Sequence, residues 1–441
     1  MTTHRKVAVG FPAAAALASA LLLHCGNEFP GNHRSASEAR RLGAPPNVVV
    51  VLIDDLGYGD VGAFGAPHMP TPHIDSLARD GVRFTQGYAT ASVCSPSRTS
   101  LMLGIYAQRT GMYTNAQVGT PFPDGHPTFA QFMRDAGYAT GMVGRWHMGS
   151  KGQRPLESGF MYLAERPPGT KERDRGRGGP SYIADDGSYW TDQHGAELAG
   201  FVARHRAEPF FLYFAPLAVH SPVQEAPAKY LRRVPPEITG KRRYLAATLI
   251  AVDDALGTLL AELRKHRLDE HTIIFFAGDN GGAAKSESRN APYRGGKASE
   301  WDGGVHEPYI IRWTGRLPAG ITFDGLSSTM DFYATAAALT NNEPPANLDG
   351  TNLIPYLTGP KEGEPHRDLY FHGHARAVRS GKWRMVLDGG LFDIHADPFE
   401  TTDLSDEYPD VVARLAERFA SWEATLKKPE KRPTKRRRTS N

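Results

Sequence analysis

Four apolar runs of strand length, each followed by polar side chains, constrain the fold of this chain more than any other feature. In the first, residues 47–53, one asparagine precedes six consecutive valine, leucine and isoleucine residues, which predicts a strand buried on both faces. The other runs have similar length and character and span residues 138–143, 210–214 and 272–276. Helical patterns lie between them, at 128–136 and 245–266. This alternation predicts an α/β fold, in which helices sandwich a mostly parallel, mixed sheet.

Residue types that bind metals and anions follow each of these four runs. In chain order they are Asp54 and Asp55, Arg145 and His147, His220, and Asp279 and Asn280. Because ligands of such sheets bind beyond the carboxyl ends of the strands, we expect these side chains to converge on one site. A loop or a turn explains each short motif equally well when it is taken alone, since Asn280-Gly281 is itself a strong turn signal.

The four residues Asp54, Asp55, Asp279 and Asn280 would offer a metal only oxygen ligands. Such a set suits a hard cation, calcium or magnesium, rather than zinc. The sequence therefore predicts a site for one divalent cation at the sheet edge.

Cys94 begins the segment Cys94-Ser95-Pro96-Ser97-Arg98, which predicts a helix running to about Gly104. Ser95 suits the helix cap and Pro96 the first helical position. Cys94 would then lie beside the free amides of a helix N-terminus, which favour an anion, and Arg98 would lie on the same face. A buried structural cysteine is the alternative that these residues leave open.

The pattern Cys94-x-Pro96-x-Arg98, followed by Leu101 and Gly104, resembles the motif of formylglycine-dependent sulfatases, arylsulfatase-like members of the alkaline-phosphatase-like superfamily. In that family the cysteine is oxidised to Cα-formylglycine. The resemblance runs in unbroken order from about residue 45 to residue 404, through the segments 47–59, 71–75, 144–149, 220–222, 278–281, 294–297, 301–304 and 391–398. Each motif is short, but the ordered set is specific.

The resemblance implies a sulfuric ester hydrolase with one divalent metal, most commonly calcium, with magnesium as the second choice. Cys94, as formylglycine, would be the nucleophile and a further metal ligand. Arg98, Arg145 and Lys297 would stabilise charge on the sulfuryl oxygens. His220 or Lys297 would protonate the leaving alcohol, and His147 would be the base that releases sulfate.

Two departures from the family pattern bear on this interpretation. Arg145 stands where the family usually has lysine, and a planar guanidinium contacts anions differently from an ammonium group. Leu103 and Ile105 replace a common threonine and arginine beside Gly104, in the region that the formylglycine-generating maturation enzyme reads. Conversion of Cys94 is therefore expected but not assured by the sequence.

Three functions stay open at this point. The first is a sulfatase acting on a sulfated small molecule or glycan. The second is a phosphonate or phosphate ester hydrolase with the same nucleophile, and the third is a non-catalytic binder of sulfated glycans if Cys94 is not converted. Nucleic acid is not an expected partner, because the net charge is only +3 and part of that excess lies in residues 427–438.

The N-terminus predicts export to the periplasm or the cell envelope. A basic start is followed by an apolar run at 7–23, which is shorter than a membrane-spanning helix needs. Cys25 follows it as in a lipoprotein cleavage site, so a lipid anchor at Cys25 and simple cleavage nearby are both open. In either case Cys94 would have no disulfide partner, because the chain contains only two cysteines.

Composition divides the chain into five predicted segments. They are a signal peptide (1–25), a linker (26–44), a catalytic domain (45–360), a small C-terminal α+β domain with a short antiparallel sheet (361–427) and a basic disordered tail (428–441).

Overall fold

A computed structural model of the protein describes residues 45–164, 188–220, 223, 226–359 and 361–429. The predicted signal peptide with Cys25, the predicted linker and the predicted tail beyond Pro429 lie outside the described residues.

The described residues form strands and helices that alternate over most of the chain. The strands are β1 Asn47–Ile53, β2 Val82–Phe84, β3 Gly87–Tyr88, β4 Ala139–Gly144, β5 Tyr162–Leu163, β6 Phe210–Ala215, β7 Thr272–Gly278, β8 Tyr309–Arg312, β9 Ile321–Phe323, β10 Ser327–Ser328, β11 Asp368–His372, β12 Arg376–Ser380, β13 Trp383–Val386 and β14 Gly390–Asp393. The helices are α1 Pro72–Arg79, α2 Cys94–Leu103, α3 Phe129–Asp135, α4 Trp190–His205, α5 Ala228–Leu231, α6 Gly240–Lys265, α7 Asp302–Val305, α8 Asp331–Ala338, α9 Ile354–Leu357 and α10 Pro409–Glu423.

An eight-stranded mixed sheet has the order β5-β4-β6-β1-β7-β8-β2-β9, and helices cover both of its faces. The five strands from β5 to β7 are parallel, and β8 is antiparallel to β7 and to β2. The predicted fold class is therefore confirmed. Strands β8, β2 and β9 at one side were not predicted, because runs of three or four residues carry too little periodicity to be recognised.

The two faces of β1 belong to two separate cores. Its odd-numbered residues from Val49 to Ile53 pack in a cluster with side chains of α1, α4 and α6. Its even-numbered residues from Val48 to Leu52 pack with side chains of α2, α3 and α8. Burial on both faces explains why this strand has no polar alternation.

Helix α6 is longer than its apolar pattern predicts. It begins at Gly240 rather than at residue 245, because polar contacts hold its first turn, including an ion pair between Arg242 and Asp60. By length and hydropathy alone α6 could cross a membrane, but 78% of its apolar stretch is buried inside the protein, as in a core helix.

A four-stranded antiparallel sheet, β11-β12-β13-β14, lies near the C-terminus, as predicted. Helix α10 packs on it through Leu415 and Phe419, which share a cluster with Val378, Met385 and Leu391. The boundary of this unit at residue 361 stays a prediction.

We expect Leu415→Ala to lower the free energy of unfolding by ~2–5 kcal/mol, since Leu415 is fully buried and the substitution leaves a cavity. Arg414→Ala, one residue away on the exposed side of α10, is the matched control and should change stability by less than ~0.5 kcal/mol. Denaturant unfolding followed by circular dichroism measures both. Equal effects of the two substitutions would contradict the packing of α10 on the small sheet.

Candidate active site

The register between β1 and β7 brings the predicted metal ligands together. These parallel strands pair with Ile53 opposite Gly278, so the residues that follow both strands project from the same edge of the sheet. The residues at this edge are Asp54, Asp55, Asp279 and Asn280, none of which is more than 2% exposed.

Hydrogen bonds join these two pairs of residues directly. The backbone N–H of Asp55 donates to Asp279 Oδ1 over 3.1 Å, and Asn280 Nδ2 donates to Asp55 Oδ1 over 3.0 Å. The site therefore begins as a dry cluster of three carboxylates and one carboxamide.

Helix α2 places Cys94 against this cluster. The Cys94 thiol lies 3.3 Å from Asp54 Oδ1 and 3.7 Å from Asp55 Oδ1. The helix starts at Cys94 with Val93 as its cap, so the prediction that Ser95 caps it is wrong. The Ser95 N–H is instead satisfied from another loop, by Asn115 Oδ1 at 2.9 Å.

Arg98 is completely buried and bonded to the carboxylates. Its Nε lies 2.7 Å from Asp279 Oδ2 and its Nη2 lies 3.0 Å from Asp54 Oδ2. Its Nη1 donates to the carbonyl of Arg145. The guanidinium therefore binds two of the carboxylates around Cys94, and the predicted contact of Arg98 with the nucleophile or its anion stays a prediction.

Arg145 and Lys297 are the cations beside the thiol. Arg145 Nη1 lies 2.5 Å from Asp54 Oδ2 and 3.9 Å from Cys94 Sγ. Lys297 Nζ lies 2.5 Å from Asp55 Oδ1 and 3.5 Å from Cys94 Sγ. Burial acts to raise the pKa of the Asp54 carboxyl, but the charges of Arg145 and Arg98 outweigh it and hold that pKa well below its ordinary value.

Glycine is required at the strand end that carries Arg145. Gly144 has φ +114°, and a Cβ there would lie 2.0 Å from the carbonyl oxygen of Ala215. This close approach lets the Arg145 N–H donate to the same oxygen over 2.7 Å. The chain therefore turns sharply after β4, directly before Arg145.

Both predicted histidines lie at the site. His220 Nε2 is 3.7 Å from Asp55 Oδ2. His147 has positive φ, and the hydroxyl of Ser95 donates to its carbonyl. Burial and then the charge of Arg145 lower the pKa of His147 to about 3, and burial also lowers the pKa of His220. Both imidazoles are therefore neutral at pH 7 and able to accept a proton or bind a metal.

The residues present fit a divalent cation. Asn280 Oδ1 is buried and has no hydrogen-bond donor among the described residues. Ligand atoms of Asp54, Asp55, Cys94 and His220 all lie within 4.8 Å of one another. Burial, followed by the charge of Asp54, raises the pKa of Asp279 to about 7, which indicates that the carboxylates need further positive charge. His220, predicted only as a proton donor, belongs to this group of possible ligands.

Sequence reasoning missed a buried carboxylate that joins the loops after β1 and β7. Asp60 is fully buried and accepts bonds from the Ser288 hydroxyl, the Arg289 N–H and the guanidinium of Arg242. Asp60 directly follows the segment 47–59 that resembles the family. The sequence gives no local signal of its role, because all three hydrogen-bond partners are distant in the chain.

A second missed residue, Glu300, links the small C-terminal sheet to the segment before Cys94. Its carboxylate accepts bonds from the Ser92 hydroxyl and from the N–H groups of His374 and Ala375 in the turn between β11 and β12. The small sheet therefore borders the site through this turn.

Comparison with known proteins agrees with this geometry. The family model described as Sulfatase matches residues 46–342. The chain is 33% identical over 351 residues to the N-acetylgalactosamine-6-sulfatase of Sus scrofa, an alignment that covers 71% of this chain and 66% of that relative. It is 32% identical over 404 residues to arylsulfatase A of Homo sapiens, covering 80% and 78% of the two chains.

A solved structure extends the likeness to the fold. The crystal structure of Ps i-CgsB superimposes with a TM-score of 0.79 and 29% identity, covering 88% of this chain and 94% of that chain. The same protein in complex with k-i-k-neocarrahexaose gives a TM-score of 0.78. With a family model that matches more than half of its residues, the chain belongs to the sulfatase family.

Proposed function

We propose that the protein hydrolyses sulfate esters, with Cys94 as the precursor of the nucleophile. One observation carries the proposal: Cys94 Sγ lies between two carboxylates that suit a metal and two cations that suit a sulfate group. The distances are 3.3 Å to Asp54 Oδ1, 3.7 Å to Asp55 Oδ1, 3.5 Å to Lys297 Nζ and 3.9 Å to Arg145 Nη1.

Family resemblance supports conversion of Cys94 to Cα-formylglycine, an aldehyde whose hydrate would supply one hydroxyl to take up the sulfuryl group and a second to release it. Asp54, Asp55, Asp279 and Asn280 would hold the cation, with the group made from Cys94 as a further ligand. We take the cation to be calcium, which the family most commonly holds and whose irregular coordination several carboxylates suit, with magnesium as the second choice. A bound divalent cation supplies Lewis acidity and lowers the pKa of an oxygen nucleophile.

The chain's own side chains account for binding and proton transfer. Arg145 and Lys297 bind the sulfuryl oxygens and stabilise the charge that develops on them. His147, neutral and buried, accepts a proton when sulfate is released. Lys297, which is cationic, or His220 after it has taken up a proton, donates a proton to the departing alcohol.

Charge balance favours an ester with a single negative charge. The cations Arg98, Arg145 and Lys297 match the three carboxylates, so a divalent cation leaves an excess of two positive charges. A sulfate monoester and an ionised nucleophile neutralise this excess. A doubly ionised phosphate monoester would add one more negative charge, whereas a phosphonate monoester would not, so phosphonate esters remain the alternative substrate.

A sulfated carbohydrate is the substrate class that we propose. The supporting observations are the names of similar proteins, an N-acetylgalactosamine-6-sulfatase and a structure determined with k-i-k-neocarrahexaose. We further propose export to the periplasm or cell envelope, a possible lipid anchor at Cys25 and a formylglycine-generating enzyme as maturation partner. The apolar run at 7–23 and the Cys94 motif support these proposals.

Peptide mass spectrometry tests the conversion of Cys94. We expect the tryptic peptide that contains Cys94 to be lighter than the cysteine form by the difference between SH₂ and O, and to resist thiol alkylation. Cys94→Ala prepared in the same host is the control and should show neither change nor hydrolysis. An alkylatable thiol in protein from the native host, together with no hydrolysis of aryl sulfates, would favour the glycan binder.

Removal of the metal should abolish hydrolysis and lower the thermal midpoint, because the buried carboxylates lose their counter-ion. Restoring calcium to 100 times its Kd should return about 2.7 kcal/mol of stability. Asp54→Asn should lose this response, whereas Asp331→Asn, at a buried carboxylate outside the site, should keep it. Full activity after exhaustive chelation, with metal content verified by mass spectrometry, would refute a metal-dependent mechanism.

Arg145 should act through its charge more than through its shape. We expect Arg145→Lys to keep kcat/KM for an aryl sulfate within about tenfold and Arg145→Met to lower it by ~10²–10³. Arg154→Met, at an exposed arginine, is the control and should be near neutral. Parallel rates on a phosphonate monoester discriminate the two substrate classes, and an active Arg145→Met enzyme would contradict the assigned role.

A further inference from the structure

Five exposed cationic side chains lie on three neighbouring parts of the chain beside the site: the end of α5, the first turn of α6 and the loop after β7. We name them the basic rim: Arg232, Lys241, Arg243, Lys285 and Arg289. Within the part of the chain that the structure describes, none of the five has a carboxylate within 4.0 Å. In a chain whose net charge is only +3, this is a marked local excess of positive charge.

Backbone and side-chain contacts place the basic rim at the same edge of the sheet as the active site. Next to Lys241 and Arg243, Arg242 donates to the carbonyl of Gly59 over 3.3 Å. Gly59 follows Asp55 by four residues, so the two lie at most about 14 Å apart. The Gly59 N–H in turn donates to the carbonyl of Arg289 over 2.8 Å.

The loop after β7 brings the other side of the basic rim to this edge. Lys285 lies in the short helical turn Ala284–Ser286, five residues after Asn280. Glu287, which ends that turn, accepts the N–H of Arg242 in the first turn of α6. The first turn of α6 and the loop that begins with two metal ligands are therefore bonded to each other.

Helix electrostatics do not explain these charges. Lys241 and Arg243 lie in the first turn of α6, where the helix dipole disfavours cations. Arg242 between them is matched by Asp60, but its two neighbours have no such partner. The nearby acids are already engaged, since Glu287 bonds to Arg242 and Glu237 lies 3.6 Å from His68. The helix dipole favours cations at the C-terminal end of α6, where Arg264 and Lys265 lie.

A cavity of about 420 Å³ adjoins the basic rim at Arg289 and extends along the loop after β1. Its walls combine apolar groups with the cations Arg242 and Arg289 and with the carboxylates Glu237 and Glu287, which bond to His68 and Arg242. A sugar unit needs such a mixed surface, with hydrogen-bond partners for its hydroxyls and apolar contact for its ring face.

We propose that the basic rim is a binding surface for a polysulfated glycan, which contacts sulfate groups of the chain other than the one being hydrolysed. This inference rests on the proposed function and deepens it, because it makes a polyanionic chain rather than an isolated small ester the natural substrate. Contacts between exposed cations and sulfate groups release counterions, so binding should weaken steeply as salt rises.

The test compares two triple variants that remove equal charge from opposite edges of the sheet. The rim variant is Lys241→Ser, Arg243→Ser and Lys285→Ser. The control variant is Arg264→Ser, Lys265→Ser and Arg316→Ser, three exposed cations, of which the first two lie roughly 35 Å from Lys241 along α6. None of the six side chains belongs to the proposed catalytic machinery.

Binding to dextran sulfate, with uncharged dextran as the blank, is measured at several salt concentrations. We expect the rim variant to bind about tenfold more weakly, with a salt dependence reduced by roughly one unit of slope for each lost contact. The control variant should stay within about twofold of the unsubstituted protein. Equal loss in both variants, or none in the rim variant, would overturn the inference.

Kinetics separate this inference from the proposed function. With a sulfated polysaccharide as substrate, the rim variant should show a raised KM, while its kcat/KM for a small aryl sulfate stays unchanged. The proposed function has a separate test, which uses unsubstituted protein verified as modified at residue 94 and loaded with metal. If this protein hydrolyses neither substrate, the proposed function is contradicted instead. Thermal midpoints check folding, and Lys241→Gln with Lys285→Gln replaces the rim variant if that variant unfolds.

Discussion

Arg98 lies between Asp54 and Asp279, and none of the three side chains is exposed to solvent. Removing one member of such a buried group leaves an unpaired charge and typically costs ~3–5 kcal/mol. Arg98 belongs to the helix that starts at Cys94, whereas the two carboxylates follow β1 and β7. One buried ion-paired group therefore fixes the helix to the sheet edge and sets the distance between Cys94 and the carboxylates at that edge.

Two further carboxylates brace the loops around this arrangement. Asp60 joins the loop after β1 to the loop after β7 and to the first turn of α6. Glu300 joins the segment before Cys94 to a turn of the small C-terminal sheet. Bracing of this kind limits the movement of the charged side chains around Cys94, and preorganised charge is usually the largest contribution to catalysis in such a site.

Fold class and the convergence of the site were both predictable, for the same reason. The apolar runs are long enough to specify buried parallel strands, and the carboxyl ends of parallel strands meet at one edge. Asp54, Asp55, Asp279 and Asn280 therefore had to approach one another. Local periodicity does not reveal the remaining features, so they were not predictable. They are the short strands β8, β2 and β9, the cap of α2 and the bracing role of Asp60.

The sequence by itself determined the four long apolar strands, the helices with a clear apolar pattern and the residue types at the strand ends, because hydrophobic periodicity is a local property of the chain. Only the tertiary structure decided which partner each buried charge has. Arg98 and Asp279 are 181 residues apart in the chain, and Lys297 and Asp55 are 242 apart. Spacing along the sequence carries no information on such distances, so packing of the two cores against the sheet assigned Arg98 to the carboxylates and left Lys297 and Arg145 beside Cys94.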